Sequence, residues 1–490
     1  MDVTQDTCSK KSCSLISRQF NKYITMHLSQ FFTTYDDTLT QSLNTDPLGM
    51  TMIWSRLGQD IFHNRVSSIS NDVRNYTLNL VHHYVIKQVV DSQTELSRRL
   101  HGVFGHADTL SFKQACLIYM ENIYVFSMLQ AEEVEQFHVQ TQGILGTSKA
   151  RQQLAEGEPS LLFTNKQTGQ LLVRQLTLGA SGRYKTPFTE MAFFDKEYRY
   201  HLPTSTKQWN AAQFFIGSNR WLNELVHNLA EHLVFVVSQN SKLPQIEWNV
   251  IPDVIKRGYA QSFATPATVG KQSKAFWLKA TSLDKNAAGS LYEVINSAQD
   301  NESAQSLIEQ AITREQSVIE KTKMLDICRV EPLLAECELL LTVLMSQRFQ
   351  SDEEVYQSYL KLDRNVSSII QLARELEAEI GIKEKFQVGV AKSRYEALLA
   401  FGKLDSTESA ESMTALIEEL LKYHRAIMNQ RGQSPWVERD SQGVYRCHVK
   451  LRNLPTVEQR PYKSWVNGYY LDQFKNLIKG LEGKSNDENI

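Results

Sequence analysis

Proline is scarce in this chain: eleven of 490 residues, with none between Pro47 and Pro159 and none between Pro332 and Pro435. Because proline lacks an N–H and clashes with the preceding turn, two Pro-free tracts of about a hundred residues predict two helical bodies. Cysteine is scarcer still. Six thiols (Cys8, Cys13, Cys116, Cys328, Cys337 and Cys447) are too few to staple a chain of this length, so reduced cysteines are expected. No stretch approaches the run of about twenty apolar residues that a membrane helix requires. The opening Asp2, Thr4, Gln5 and Asp6 lack the apolar core of an export signal, and the two absences together predict a cytoplasmic protein with no membrane partner. Net charge is nearly absent too: 53 basic against 55 acidic residues give −2, which excludes a strongly basic nucleic-acid coat and an acidic disordered tail.

What is present is apolar surface and a hidden charge separation. A hydrophobic fraction of 42% with 10% aromatics is ample for buried cores, and the length predicts roughly two to four domains. From Asn286 to Leu421 there are 24 acidic and 13 basic residues, whereas Lys422 to Lys484 holds 12 basic and 5 acidic. The chain is therefore electrically polar along its length.

Hydrophobic spacing locates the helices. Trp54, Leu57, Ile61 and Phe62 recur at helical intervals, followed by Val73, Tyr76, Leu80, Tyr84 and Val85, then Phe112, Cys116, Tyr119, Ile123, Phe126 and Leu129. In the second tract Leu333, Leu334, Cys337, Leu340, Leu341 and Leu344 form one stripe and Ile369, Ile370, Leu372, Ala373 and Leu376 another. Arg374, Glu375, Glu377 and Glu379 beside them predict an acidic helical bundle or coiled-coil hairpin with a solvated face. Between the tracts, Leu161-Leu162-Phe163, a turn at Lys166-Gln167-Thr168-Gly169 and Leu171-Leu172-Val173 read as a β-hairpin, and Trp209 to Val237 as a helical segment. At the C-terminal end, Trp436 to Arg439, a turn at Asp440-Ser441-Gln442-Gly443 and Val444 to Leu451 read as a two-stranded ribbon, followed by an amphipathic helix from Trp465 to Leu481. The expected architecture is mainly α: an N-terminal helical domain (1–155), a mixed and winged-helix-like region (156–285), an acidic helical body (286–430) and a basic β-hairpin with a closing helix (431–490).

Catalytic signatures fail on inspection. Thr265 to Gln272 contains Gly270-Lys271 but has Thr265 where a P-loop needs its first glycine and Gln272 where it needs a hydroxyl. His448-Val449-Lys450 begins a phospholipase-D-type nuclease motif, yet Pro455 stands at the aspartate position. His227 and His232 lie five apart on a predicted helix, which rotates one from the other by about 140° and prevents joint chelation. Cys8 and Cys13 have a ligand-like gap with His27 beyond, but no second pair follows. His82-His83 sit mid-helix and point apart. His101 and His106 flank Gly102 and Gly105 in a predicted loop without a fixed nucleophile or acid. No metal or cofactor is expected.

Binding signals remain. Gly179-Ala180-Ser181-Gly182-Arg183-Tyr184-Lys185 reads either as a tight turn or as a basic wing in which Arg183 and Lys185 meet phosphate and Tyr184 stacks. The C-terminal segment combines Arg439, Arg446, Lys450, Arg452, Arg460 and Lys463 with Trp436, Tyr445, Tyr462 and Trp465, which is a candidate nucleic-acid surface of cations and stacking rings.

Asp46-Pro47-Leu48-Gly49, Leu57-Gly58 and Arg74-Asn75-Tyr76, with the later Gly182-Arg183-Tyr184 and Trp465-Val466-Asn467-Gly468-Tyr469-Tyr470-Leu471, resemble elements of helical accessory subunits encoded in bacterial anti-phage defence operons. The resemblance implies a non-catalytic subunit working beside an ATPase, SMC-like protein, helicase or nuclease, and it carries over no catalytic residue. The leading expectation is a helical subunit of a bacterial DNA-directed assembly that bridges partner proteins and contacts DNA. Alternatives are a divergent metal-dependent nuclease or toxin, centred on His101 and His106 or on Glu231 and His232, and a pure protein scaffold whose acidic and basic parts bind other subunits or each other in a homo-oligomer.

Overall fold

A computed structural model of the chain describes residues 46–134, 137–239, 245–299 and 301–484. Cys8, Cys13 and His27 lie outside them. The described residues are mainly α-helical with two small antiparallel sheets. It divides into two compact units: a larger one from Thr51–Ala335, Glu375–Glu396 and Lys463–Ile490, and a smaller one from Met1–Met50, Glu336–Arg374 and Ala397–Tyr462. No helix of the described residues is long and apolar enough to cross a membrane.

In the larger unit the three N-terminal stripes become the helices Thr51–Phe62, Val73–Asp91 and Leu110–Glu132. The second starts where the Asp72 carboxylate accepts the Arg74 N–H, and the third where the Thr109 hydroxyl accepts the Phe112 N–H. Val73–Asp91 packs against the helices Ala180–Glu190, Arg220–Ser238 and Pro266–Thr281, and Leu110–Glu132 packs against Asp253–Phe263. Both are consequently buried on nearly all sides. That is why His82 and His83, which point apart, are both interior: His82 Nε2 lies 2.8 Å from the Tyr259 hydroxyl and His83 Nδ1 2.9 Å from that of Tyr200. Glycine permits one especially close crossing. A Cβ on Gly270 would lie 1.6 Å from the Gly480 carbonyl oxygen, so Pro266–Thr281 and the closing helix Leu471–Leu481 touch backbone to backbone. The glycine that imitated a P-loop serves packing.

The middle segment departs from the expected hairpin in its pairing. Strand β1 (Ser160–Leu162) is present, but its partner is β2 (Gln245–Glu247), with Leu161 opposite Ile246. Leu171 and Leu172 cannot return as a strand because their N–H groups are taken by the Gln175 side-chain oxygen, at 2.9 and 3.4 Å. Gly179 is not in a wing either. It leads into Ala180–Glu190, and a Cβ on it would lie 2.5 Å from the Glu121 carboxylate, which accepts the Ser181 N–H at that helix start. The expected helix from Trp209 to Val237 is two helices, Thr206–Ser218 and Arg220–Ser238, divided at Asn219, whose side chain caps the second by accepting the Leu222 N–H.

The smaller unit holds the helices Asp352–Leu360 and Ala410–Gln430 and a three-stranded sheet. Its acidic part is a bundle of separate helices, not a coiled-coil hairpin. Ser351 and Glu354 form a reciprocal capping box at the start of Asp352–Leu360. The expected ribbon is β4 (Val437–Arg439) paired with β5 (Tyr445–Cys447), Glu438 facing Arg446. Its turn is fixed by the Asp440 carboxylate, which accepts the Gln442 and Val444 N–H groups, and by Gly443 at φ +81°. A third strand, β3 (Phe349–Gln350), pairs with β5 and was not evident from two residues of sequence. Val318–Leu344, whose apolar stripe was expected to begin after Pro332, runs through that proline as one helix.

Candidate nucleic-acid interface

The basic residues expected to meet DNA are assembled chiefly in the smaller unit, but beside carboxylates of the same chain. Arg439 lies 2.5 Å from Asp352 and 3.0 Å from Glu418. Its hydrogen bond to Asp352 is the main reason its pKa is raised further. Arg452 and Arg460 both reach Glu338, at 2.7 and 2.9 Å. Arg446 pairs with Asp440 at 2.9 Å, across the ribbon turn, while its guanidinium covers Phe349. Lys450 is exposed, and no ion pair forms there among the described residues. Residues 336–374 and 397–462 together hold 13 basic and 14 acidic side chains, so the charge separation seen along the sequence closes up in space.

The stacking candidates divide similarly. Tyr445 is buried with its hydroxyl on Asp352 at 2.5 Å, which closes its ring to a base. Trp436 is half-buried, and its backbone N–H donates to His424 Nε2 at 2.8 Å. Tyr462 is exposed along one face, packed under Arg364 on the other and tied to the Ser368 carbonyl at 2.9 Å.

The larger unit holds the remaining candidates. Lys463 approaches Glu375 at 3.7 Å, and Trp465 packs on Tyr469. Arg183 Nε donates to the Leu178 carbonyl, and Lys185 lies 4.5 Å over the Tyr198 ring. Tyr184 is fully buried with its hydroxyl on the Asp72 backbone, so it supports the fold and cannot stack on a nucleobase.

What the sequence reading missed are the buried acids of Val318–Leu344. In the smaller unit Glu336 and Arg364, both inaccessible, form a two-pronged pair at 2.8 and 3.1 Å, and Arg364 Nη2 also donates to the Arg460 carbonyl. In the larger unit the Glu331 carboxylate receives the Val466 and Asn467 N–H groups, the Asn467 amide and the Tyr469 hydroxyl. Burial raises the pKa of Glu331, and these donors oppose the rise. The signal was available: Glu331 and Glu336 interrupt an apolar stripe, and a buried carboxylate requires partners.

The segments that carry the resemblance are held by such contacts. Pro47 C=O accepts from His424 Nδ1 at 2.8 Å in the smaller unit. In the larger one Arg74 donates to the carbonyls of Gln140 and Gln142, and the Tyr470 ring lies against Trp54 and Gly58. No family model, curated protein or solved structure matches the chain.

The histidine candidates are dispersed. His232 is buried against the Tyr119 hydroxyl at 2.8 Å, whereas His227 is exposed beside Glu231. His101 lies in the last turn of the short helix Arg98–Phe104 and not in a loop, and His106 follows Gly105, both exposed. His448 and Lys450 lie beyond β5 and not on it, with His448 3.4 Å from Glu438. Among the described residues no group of three His, Cys, Asp or Glu could hold a metal ion.

Proposed function

We propose that the chain is a non-catalytic helical subunit that works by holding other proteins in a multi-protein assembly of the anti-phage kind, with DNA contact confined to the edge around Arg446 and Lys450. The observation that carries this reading is the pairing of Arg439, Arg452 and Arg460 with Asp352, Glu418 and Glu338. These three arginines, at 2.5–3.0 Å from their carboxylates and at most 32% exposed, have to leave them before they can release counterions from DNA, so they add little to affinity, whereas Arg446 is 51% exposed despite its pair with Asp440. The pairing also gives the basic segment a reason to exist without nucleic acid: it fastens residues 448–462, which have no regular structure, to the acidic helices. Leu451 and Leu454, exposed on the same segment, add apolar surface of the kind that protein contacts use.

Affinity purification of the tagged full chain from cells expressing its neighbouring genes tests the reading. Co-purification of at least one neighbour's product that persists after nuclease treatment and about 0.5 M salt supports a protein scaffold, because screened surface charge alone does not survive that ionic strength. Loss of every neighbour's product on nuclease treatment favours the DNA-centred reading instead.

A further inference from the structure

The helix Val73–Asp91 is buried at fourteen of its 19 residues, and four of the five that are not, Tyr84, Lys87, Gln88 and Asp91, form a single stripe at i, i+3, i+4 and i+7. Facing it, Thr206, Trp209, Asn210 and Gln213 repeat the same spacing on Thr206–Ser218. Facing stripes of two packed helices are ordinarily apolar and interlocked. Here both carry hydrogen-bonding groups, and a cleft of about 340 Å³ remains between them, which is within the size range of small-molecule sites.

The lining is specific in its chemistry. The rings of Tyr84 and Trp209 are 6.3 Å apart and within 30° of parallel, and the Tyr200 ring stands edge-on to Trp209. Trp209 is 4% exposed, and its indole N–H has no acceptor. Gln88, Asn210 and Gln213 bring amides, each of which both donates and accepts. At the rim the Asp91 carboxylate is held by Lys87 at 2.5 Å and by His201 at 2.8 Å, yet remains 37% exposed, with lone pairs open to hydroxyl donors. Lys87 is neutralised by Asp91, so the cleft offers no surplus positive charge to a phosphate.

We propose that this cleft binds a neutral nucleoside: a flat heteroaromatic base against the half-buried Tyr84 ring, which the buried Trp209 backs, its polar edge read by the amides, and its ribose hydroxyls donating to Asp91. The proposal is independent of the scaffold reading, and it would make that scaffold responsive to a small molecule.

Isothermal titration of the full chain with adenosine, guanosine, cytidine and uridine tests it, with the corresponding monophosphates and inorganic phosphate as further arms. The expected result is saturable one-site binding of at least one nucleoside, weakened by about tenfold or more in N210A/Q213A and in D91N. Asn210 and Gln213 are exposed, so the double variant keeps its fold, which circular dichroism checks. Y84A, which removes the half-buried ring that faces the cleft, weakens binding as well. The proposal is overturned if none of the four nucleosides saturates, if N210A/Q213A binds as the parent does, or if inorganic phosphate or a monophosphate binds about tenfold tighter than its nucleoside.

Discussion

Removing the Arg364 guanidinium leaves the Glu336 carboxylate inaccessible and without its counter-charge. Truncating one partner of such a buried pair costs about 3–5 kcal/mol. Arg364 also donates to the carbonyls of Leu362 and Arg460, at 2.9 and 2.8 Å, and each orphaned bond adds about 1 kcal/mol. R364A is therefore expected to destabilise the smaller unit by about 5–7 kcal/mol. The double variant E336L/R364M removes both charges and keeps the volume, so it recovers most of the loss and stays within about 2 kcal/mol of the parent. It does not restore the donor to Arg460. Hydrogen exchange across residues 448–462 should accordingly stay faster than in the parent even where global stability returns. Urea unfolding of the parent, R364A, E336L, R364M and the double variant, followed by peptide-resolved exchange, measures both effects. A cost for R364A below about 1 kcal/mol, or no recovery in the double variant, would refute the reasoning from an uncompensated buried charge.

Three further outcomes follow from the same structure. Burial holds His82, His83, His232 and His424 neutral, with His232 lowered to about 4 and His82 to about 3. Folded values below the unfolded value of about 6.5 mean that their contribution is complete above that pH and is lost as pH falls toward the folded values, at about 1.4 kcal/mol per pH unit for each histidine. The urea midpoint should fall steeply from pH 6.5 toward 4, and H232F should reduce that slope by about one proton's worth; a midpoint flat across this range contradicts the burial argument. G270A places a methyl group against the Gly480 carbonyl and should lower stability by about 3 kcal/mol or more, read as a drop in the thermal midpoint. E338Q leaves Arg452 and Arg460 sharing a neutral acceptor and should cost about 1–2 kcal/mol while accelerating exchange near residues 450–460.

The helices were legible where one face is apolar and the cap residue is Asp, Thr or Ser, and the ribbon was legible because Asp440 and Gly443 can each do little else. Long-range pairing was not. The partner of β1 lies beyond five intervening helices, and nothing local at Ser160 specifies Gln245. Pro332 misled because the helix rule concerns local cost, about 3 kcal/mol, whereas Val318–Leu344 buries its own Ile327, Val330, Leu333 and Leu334 on both sides of the proline. The candidate interface was legible as a set of residues and not as a surface. Side-chain type shows that Arg452 is cationic, but only the fold shows that Glu338, more than a hundred residues earlier, stands beside it. Counting charge by segment found the two halves of an internal complementarity and assigned one of them to DNA.

The most direct measurement is the salt dependence of DNA affinity for the intact chain. If Arg439, Arg446, Lys450, Arg452, Arg460 and Lys463 all met phosphates, log affinity would fall against log salt with a slope of about −5 on duplex DNA. With Arg439, Arg452 and Arg460 committed to Asp352, Glu418 and Glu338, the slope expected is about −2 or shallower, carried by Arg446 and Lys450, and R446Q/K450Q, which sets no acid beside Asp440, should abolish it with the fold intact. R452E, by contrast, sets a second acid beside Glu338 and should destabilise the unit before any DNA is added. A slope near −5 in the parent, with R452E folded normally and deficient only in DNA binding, would contradict the account.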